Sequence, residues 1–308
     1  EVAAEVTGDN LVALKDKLMA LLEKQHEAVK FVSSLKNPAY HDLMARNLVA
    51  YYSGKTQEEV LRDRELYAGE QTCADVEAAT ARLMAGEPLP YVLGEWEFYG
   101  LPLYVDRNVL IPRDDTCAVA DLAIKQSLFL DSKPRILDLC TGSGCIGLAI
   151  ASRVKDAKVT LADLSKEALQ IAKENTALNK LSGRVRCVAA DALKPAFPFL
   201  GKFDMIVSNP PYITAEEMKQ LPKSVADYEP HLALFVPDND PLKFYRAIAQ
   251  LSGRILSPGG TLMFEINERF GAETAQMMQQ MGYTNCQVLQ DLFGKDRIVV
   301  GYMPYEIE

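Results

Sequence analysis

The second half of the chain is punctuated by seven short runs rich in branched and apolar residues: "RILDL", "KVTLAD", "RVRCVAA", "FDMIVSN", "TLMFEI", "NCQVLQD" and "RIVVGYM". Most are separated by helical patterns. Strand–helix alternation of this kind predicts an α/β fold: a doubly wound, mainly parallel seven-stranded sheet with helices on both faces. The last two runs are joined only by "LFGKD", short enough for a hairpin, so the sheet is expected to end in an antiparallel pair. No internal repeat or low-complexity tract interrupts the pattern.

Ahead of the alternation the chain reads differently. In "LVALKDKLMALLEKQHEAVKFVSSL", Leu11, Leu14, Leu18, Leu21 and Leu22 recur at three- and four-residue steps, which predicts an amphipathic helix. Asn37-Pro38 breaks it. A second helix runs through "AYHDLMARNLVAYYSG" to Gly54, Thr56 and Glu59 form a capping box opening a third, and Asp75 to Ala85 suggests a fourth. "GEPLPYVLGEWEFYGLPLYVDRNVLIPR" then turns to Gly, Pro and aromatics, which suggests hairpin strands. Three parts are expected: a small helical domain over 1–86, a β-hairpin linker over 87–112 and the alternating domain over 113–308.

Composition narrows the function. Hydrophobic residues make up 48% and charged residues 24%, ordinary for a soluble globular protein. No apolar stretch approaches the ~20 residues needed to cross a bilayer, and no basic-then-apolar leader opens the sequence. The six cysteines form no C-x-x-C pair and only three histidines could join them, so free thiols in a cytoplasmic setting are expected and no metal site. A net charge of −9 disfavours a broad phosphate-binding face.

Chemistry gathers at the strand ends. In "RILDLCTGSGCIGLAIA" a Gly-rich turn, Cys140, Thr141, Gly142, Ser143 and Gly144, joins a strand to a helix whose free N–H groups suit an anionic group such as a carboxylate. Cys140 occupies the place where a first glycine is expected. Asp163 ends the second strand, where a carboxylate can accept hydrogen bonds from both hydroxyls of a ribose. Asp191, followed by Ala192, ends the third, level with an adenine. The blander reading makes Asp163 a helix N-cap, although Ser165 suits that role better. Together the loop and acids point to an adenosine-containing cofactor. The loop lacks G-x-G-x-x-G spacing, which counts against a dinucleotide.

The fourth strand ends in Asn209, Pro210, Pro211 and Tyr212, on the same rim. The Asn209 side-chain oxygen and the Pro210 carbonyl, stiffened by Pro211, are two acceptors at fixed separation. They can hold both hydrogens of a planar –NH2 group and orient its nitrogen toward a methyl donor, while Tyr212 packs over the plane. The donor implied is S-adenosylmethionine. The bland alternative is an Asn-Pro turn.

"GEPLPYVLGEWEFYG", "VLIPR", "DLCTGSGCIGLAI", "VSNPPYI", "YEPHLAL", "LSPGG" and the "FEI" strand together resemble the release-factor glutamine methyltransferases (PrmC/HemK), over residues 40 to 303. The resemblance implies a class I, Rossmann-like, S-adenosylmethionine-dependent enzyme. Its substrate would be a peptide chain release factor, recognised by the helical domain and methylated on the side-chain nitrogen, N5, of the glutamine in its Gly-Gly-Gln loop. Cofactor contacts carry over to Cys140 through Gly144, Asp163, Asp191, Ala192 and Asn209, and amide contacts to Asn209 through Tyr212. A cytoplasmic monomer with no nucleic acid or membrane partner is expected. The sequence departs from the family at Asp114–Cys117 after "IPR", at Ala192, and at Asn267, which replaces a glycine. Arg113 and Glu265 follow the family pattern without an assigned role. Alternatives are glutamine methylation of a ribosomal protein, amino methylation of adenine N6 or guanine N2 in nucleic acid, and a cofactor-binding module without catalysis.

Overall fold

The computed structural model describes residues 11–29, 38–62, 68–130, 133–194 and 201–305; the side chains of 22–29 and 38–41 are not described. The chain divides into two compact units, Glu1–Gly94 with Pro222–Tyr228, and Glu95–Leu221 with Glu229–Glu308. The stretch 30–37, which takes in the end expected for the first helix and Asn37, lies outside the described residues.

The first unit is built from α1 (Leu11–Val29), α2 (Pro38–Ser53), α3 (Gln57–Arg62), α4 (Glu70–Met84) and α5 (Leu89–Leu93). Leu11, Leu14, Leu18 and Leu21 of α1 are all buried, as are Ala45, Leu48 and Val49 of α2. The capping box of α3 forms: the Glu59 amide donates to Thr56 Oγ1 and the Thr56 amide to Glu59 Oε2. The fourth helix begins earlier than its pattern suggested, at Glu70. Helix α5 corrects the expectation of strand across "LPYVL". Pro90 sits in its first turn, and Gly94 ends it at φ 75°, a left-handed conformation that a side chain resists. Arg82 donates to the carbonyls of Tyr91 and Val92, satisfying groups the helix end leaves open.

In the second unit an antiparallel hairpin comes first, β1 (Glu95–Phe98) and β2 (Leu101–Tyr104), followed by α6 (Thr116–Ser127). Then come β3 (Arg135–Leu139), α7 (Cys145–Arg153), β4 (Lys158–Asp163), α8 (Lys166–Leu178), β5 (Val185–Ala189), β6 (Phe203–Ser208) and α9 (Ala215–Met218). The short α10 (Lys223–Ala226) belongs to the first unit. The second resumes with α11 (Lys243–Ile255), β7 (Leu256–Glu265), α12 (Gly271–Gln280), β8 (Thr284–Gln290) and β9 (Asp296–Tyr302). The sheet has seven strands in the order β5-β4-β3-β6-β7-β9-β8. β9 lies antiparallel between β7 and β8, so the final strand is interior and the edge belongs to β8.

Alternation along the strands sorts the core into two layers. Ile136, Val159 and Leu161 join Val119 of α6, Leu148 of α7 and Ala172 of α8. Leu137, Leu139 and Ala162 join Tyr245 and Ile248 of α11 and Met278 of α12. Helices therefore cover both faces, the condition for a buried parallel sheet. No described helix is long and apolar enough to cross a membrane.

Candidate active site

Strand register creates the site. Leu139 pairs with Ala162 on one side and with Ser208 on the other. Cys140, Asp163 and Asn209, the next residues in each strand's path, therefore leave the sheet at one level. Asp163 pairs in turn with Ala189, which brings Ala190 and Asp191 to the same rim. A cavity of about 280 Å³ opens there, close to the lower end of small-molecule pockets, roughly 300 Å³. Cys140, Thr141, Gly142, Ser143, Asp163, Asp191, Ala192, Asn209 and Pro211 line it; Gly144, Pro210 and Tyr212 do not.

The Gly-rich turn is held from below by Asp138. Its Oδ2 accepts 2.8 Å hydrogen bonds from Thr141 Oγ1 and from the Gly147 amide in the first turn of α7. The carboxyl is 1% exposed, and burial pushes its pKa up to about 7 against those two hydrogen bonds. Gly147 is required for this approach: a Cβ there would stand 2.2 Å from Leu161 Cδ2 and 3.0 Å from Asp138 Oδ2. The third glycine of the motif is thus a packing residue.

Cys140 has φ 62°, so the backbone takes the left-handed conformation of a glycine although the residue is cysteine. Such a conformation costs on the order of 1–2 kcal/mol for a side-chain-bearing residue. Burial pushes its thiol well above the ordinary range, as it does that of Cys145, so neither is a poised nucleophile.

Asp163 is engaged by backbone: Oδ2 accepts from the Gly142 amide at 2.9 Å and Oδ1 from the Ser165 amide at 3.0 Å. Ser165, not Asp163, caps α8, its hydroxyl accepting from the Ala168 amide. Burial raises the Asp163 pKa while these amides oppose it. Each carboxylate oxygen keeps a lone pair for a ligand hydroxyl. Asp191 accepts from the Leu193 amide at 2.9 Å.

From the Asn209–Tyr212 segment, Asn209 and Pro211 reach the cavity wall. Among the described residues no hydrogen bond uses the Asn209 side chain or the Pro210 carbonyl, so both acceptors are free. Tyr212, expected to pack over the amide plane, is held at both its hydroxyl and its ring. Its hydroxyl donates to Glu265 Oε1 at 3.1 Å, and it packs against the core layer that holds Phe264 and Tyr245. Glu265 is 2% exposed, its pKa raised by burial against hydroxyls of Thr116 and Tyr212.

Arg113 also lines the cavity and pairs with buried Glu229, whose Oε2 accepts from the Ile111 amide at 3.0 Å. One carboxylate thereby joins two walls, the "LIPR" segment and the "YEPH" segment. Asn175 makes a second tie. Buried in α8, it accepts from the Tyr104 amide and donates to the carbonyls of Tyr104 and Ser143, linking the hairpin to the Gly-rich turn. Sequence reading missed Asp138, Asn175 and Glu229. The first two carried a signal, each being a polar residue on an otherwise apolar strand or helix face.

These residues fit an adenosylated amino acid. Gly142, at φ 54°, leaves open space where a Cβ would stand; Asp163 retains acceptor capacity; two carbonyl-type acceptors point no hydrogen bond elsewhere.

The methyltransferase small domain family matches residues 122–225. A release factor glutamine methyltransferase of Flavobacterium psychrophilum is 41% identical over 225 residues, 72% of this chain and 78% of that protein. The protein of the same name from Chlorobaculum tepidum is 35% identical over 289 residues, covering 92% of this chain and 97% of its own length. A solved structure, the release-factor-specific protein-(glutamine-N5) methyltransferase of Alicyclobacillus acidocaldarius, aligns at 27% identity with a TM-score of 0.39, over 63% of this chain and 94% of that one. With identity above 30% sustained over nearly the full length of both sequences, this chain belongs to the release factor glutamine methyltransferase family.

Proposed function

We propose that this chain transfers a methyl group from S-adenosylmethionine to N5 of the glutamine in the Gly-Gly-Gln loop of a peptide chain release factor. One observation carries the reading: Asn209, whose side chain makes no hydrogen bond among the described residues, lines the same strand-end cavity as the Gly-rich turn and Asp163, and the neighbouring Pro210 carbonyl is likewise unengaged. Family membership supports the same substrate.

The cofactor, when bound, supplies an electrophilic methyl carbon on a sulfonium. Asp163 would hold its ribose hydroxyls, and the turn from Cys140 to Gly144 its amino-acid end. Asn209 and Pro210 accept the two N–H bonds of the substrate amide, which fixes the direction of the nitrogen lone pair. An amide nitrogen is a weak nucleophile because that lone pair is delocalised. Acceptors on both hydrogens favour the state in which positive charge develops on nitrogen over the neutral ground state. As the N–C bond forms, the methyl carbon's bond to sulfur would break with its electron pair left on sulfur; the nitrogen, then acidic, releases one proton to solvent. No prior deprotonation is needed.

The helical unit is assigned to recognition of the release factor, and a cytoplasmic monomer acting without nucleic acid completes the reading. The acidic balance of −9 supports protein over nucleic acid as substrate. Incubation with labelled S-adenosylmethionine and, side by side, a release factor, a ribosomal protein fraction, duplex DNA and ribosomal RNA tests it. Intact mass and fragmentation should locate one added methyl on the Gly-Gly-Gln glutamine; label found only in nucleic acid or ribosomal protein rejects the assignment.

A further inference from the structure

Tyr212 is fixed at every polar atom. Its amide donates to the Leu234 carbonyl at 3.2 Å, its hydroxyl to Glu265 Oε1, and its carbonyl accepts from Asn267 Nδ2 at 3.1 Å. Asn267 follows β7 and is 7% exposed, with its own groups all engaged. Nδ2 also donates to the Glu217 carboxylate at 3.0 Å, Oδ1 accepts from the Arg269 amide at 3.0 Å, and its backbone amide donates to the hydroxyl of buried Tyr245 at 3.2 Å. Glu217 is the closing residue of the Thr214 capping box that starts α9. A primary amide has two hydrogens, and here one serves the Tyr212 carbonyl and the other Glu217.

Between Tyr212 and Asn209 stand two prolines. Each ring fixes its own φ, and each restricts the residue before it. Few torsions remain free, so a displacement of the Tyr212 carbonyl is passed to Asn209 and Pro210 rather than absorbed. We infer that Asn267 is a positioning residue: by holding the Tyr212 carbonyl it sets where the two amide acceptors stand. The inference rests on the proposed role of those acceptors.

Three variants separate positioning from plain support. Asn267→Ala removes both donations. Asn267→Asp keeps the acceptor for Arg269 but loses the donor and sets a carboxylate against Glu217. Adding Glu217→Gln to Asn267→Asp returns a donor between those two side chains, without restoring one to the Tyr212 carbonyl. In all three, kcat for release factor methylation should fall about tenfold or more, since misplacement near 1 Å costs up to about a hundredfold. KM for the release factor and the calorimetric Kd of S-adenosylmethionine should stay within about twofold, the split expected when only transition-state contacts are lost. The double variant should recover the unfolding midpoint lost by Asn267→Asp, with kcat still low. Recovery of kcat alongside stability would mean a merely structural residue and overturn the inference. The side-chain NH2 resonances of Asn209 report position without any substrate. They should shift in Asn267→Ala, and spectra that superpose on wild type reject positioning even where the wild-type protein proves to methylate something else.

Discussion

The hydroxyl of Tyr212 donates a 3.1 Å hydrogen bond to Oε1 of Glu265, a carboxyl sealed at the end of β7. The pair joins the segment after β6 to the neighbouring strand, one step behind the cavity wall. Burial raises the Glu265 pKa, so the folded protein favours its protonated form and loses stability as pH rises above the ordinary carboxyl range. Tyr212→Phe removes a hydrogen-bond donor from that oxygen and should cost about 1–3 kcal/mol. Because the lost bond favours the ionised acid, the deficit should be larger in mildly alkaline buffer than in acid. Denaturant titrations of both proteins in the two buffers check this, and a deficit independent of pH would contradict it.

Asp138 offers a second pH signature. Its folded pKa is raised from 3.8 to about 7 by burial, so between those values the unfolded chain has lost a proton that the folded chain keeps. Stability from this group is therefore greatest in acid and declines through that window. Asp138→Asn retains an oxygen for the Gly147 and Thr141 donors but cannot ionise. Relative to wild type, the variant should gain stability as pH rises from 3.8 to about 7 and hold level above it. Unfolding midpoints across a pH series supply the comparison.

The two glycines at the turn should fail differently. Gly147→Ala drives a Cβ into Leu161 and Asp138, an overpacking expected to cost about 1–3 kcal/mol. Gly142→Ala meets no atom within 4 Å but holds φ at 54° and fills space on the cavity wall. Its stability loss should be on the order of 1 kcal/mol, with a clear weakening of S-adenosylmethionine binding. Calorimetry and thermal melts together distinguish the pair.

Asn209→Ala removes one acceptor from the proposed amide site while leaving the Gly-rich turn and Asp163 in place. Turnover should drop about a hundredfold or more, the scale of losing one pre-organised polar contact. Cofactor affinity should change little. Unaltered turnover would remove Asn209 from the mechanism.

Much of this architecture can be read from the sequence, because short runs rich in branched and apolar residues and the punctuation between them are local signals. The seven strands, the capping box at Thr56 and the rim position of Cys140, Asp163 and Asn209 follow from such signals. Helix α5 escaped because its prolines and aromatics mimic strand composition, whereas Pro90 in a first turn is a helix-compatible placement. The interior position of β9 depends on non-local pairing, to which a short connecting loop is blind. Side-chain ties such as Glu229 to Arg113 span more than a hundred residues, a distance over which no spacing rule operates.

The registered strand ends set the kinds of change this protein can absorb. Substitutions along β3, β4 and β6 alter packing yet leave Leu139, Ala162 and Ser208 abreast. Removing a single residue from any one of those strands would retract its terminal group by ~3.3 Å and turn it through the sheet. Lineages descending from such a chain are free to drift in composition, but strand length within this trio is effectively frozen.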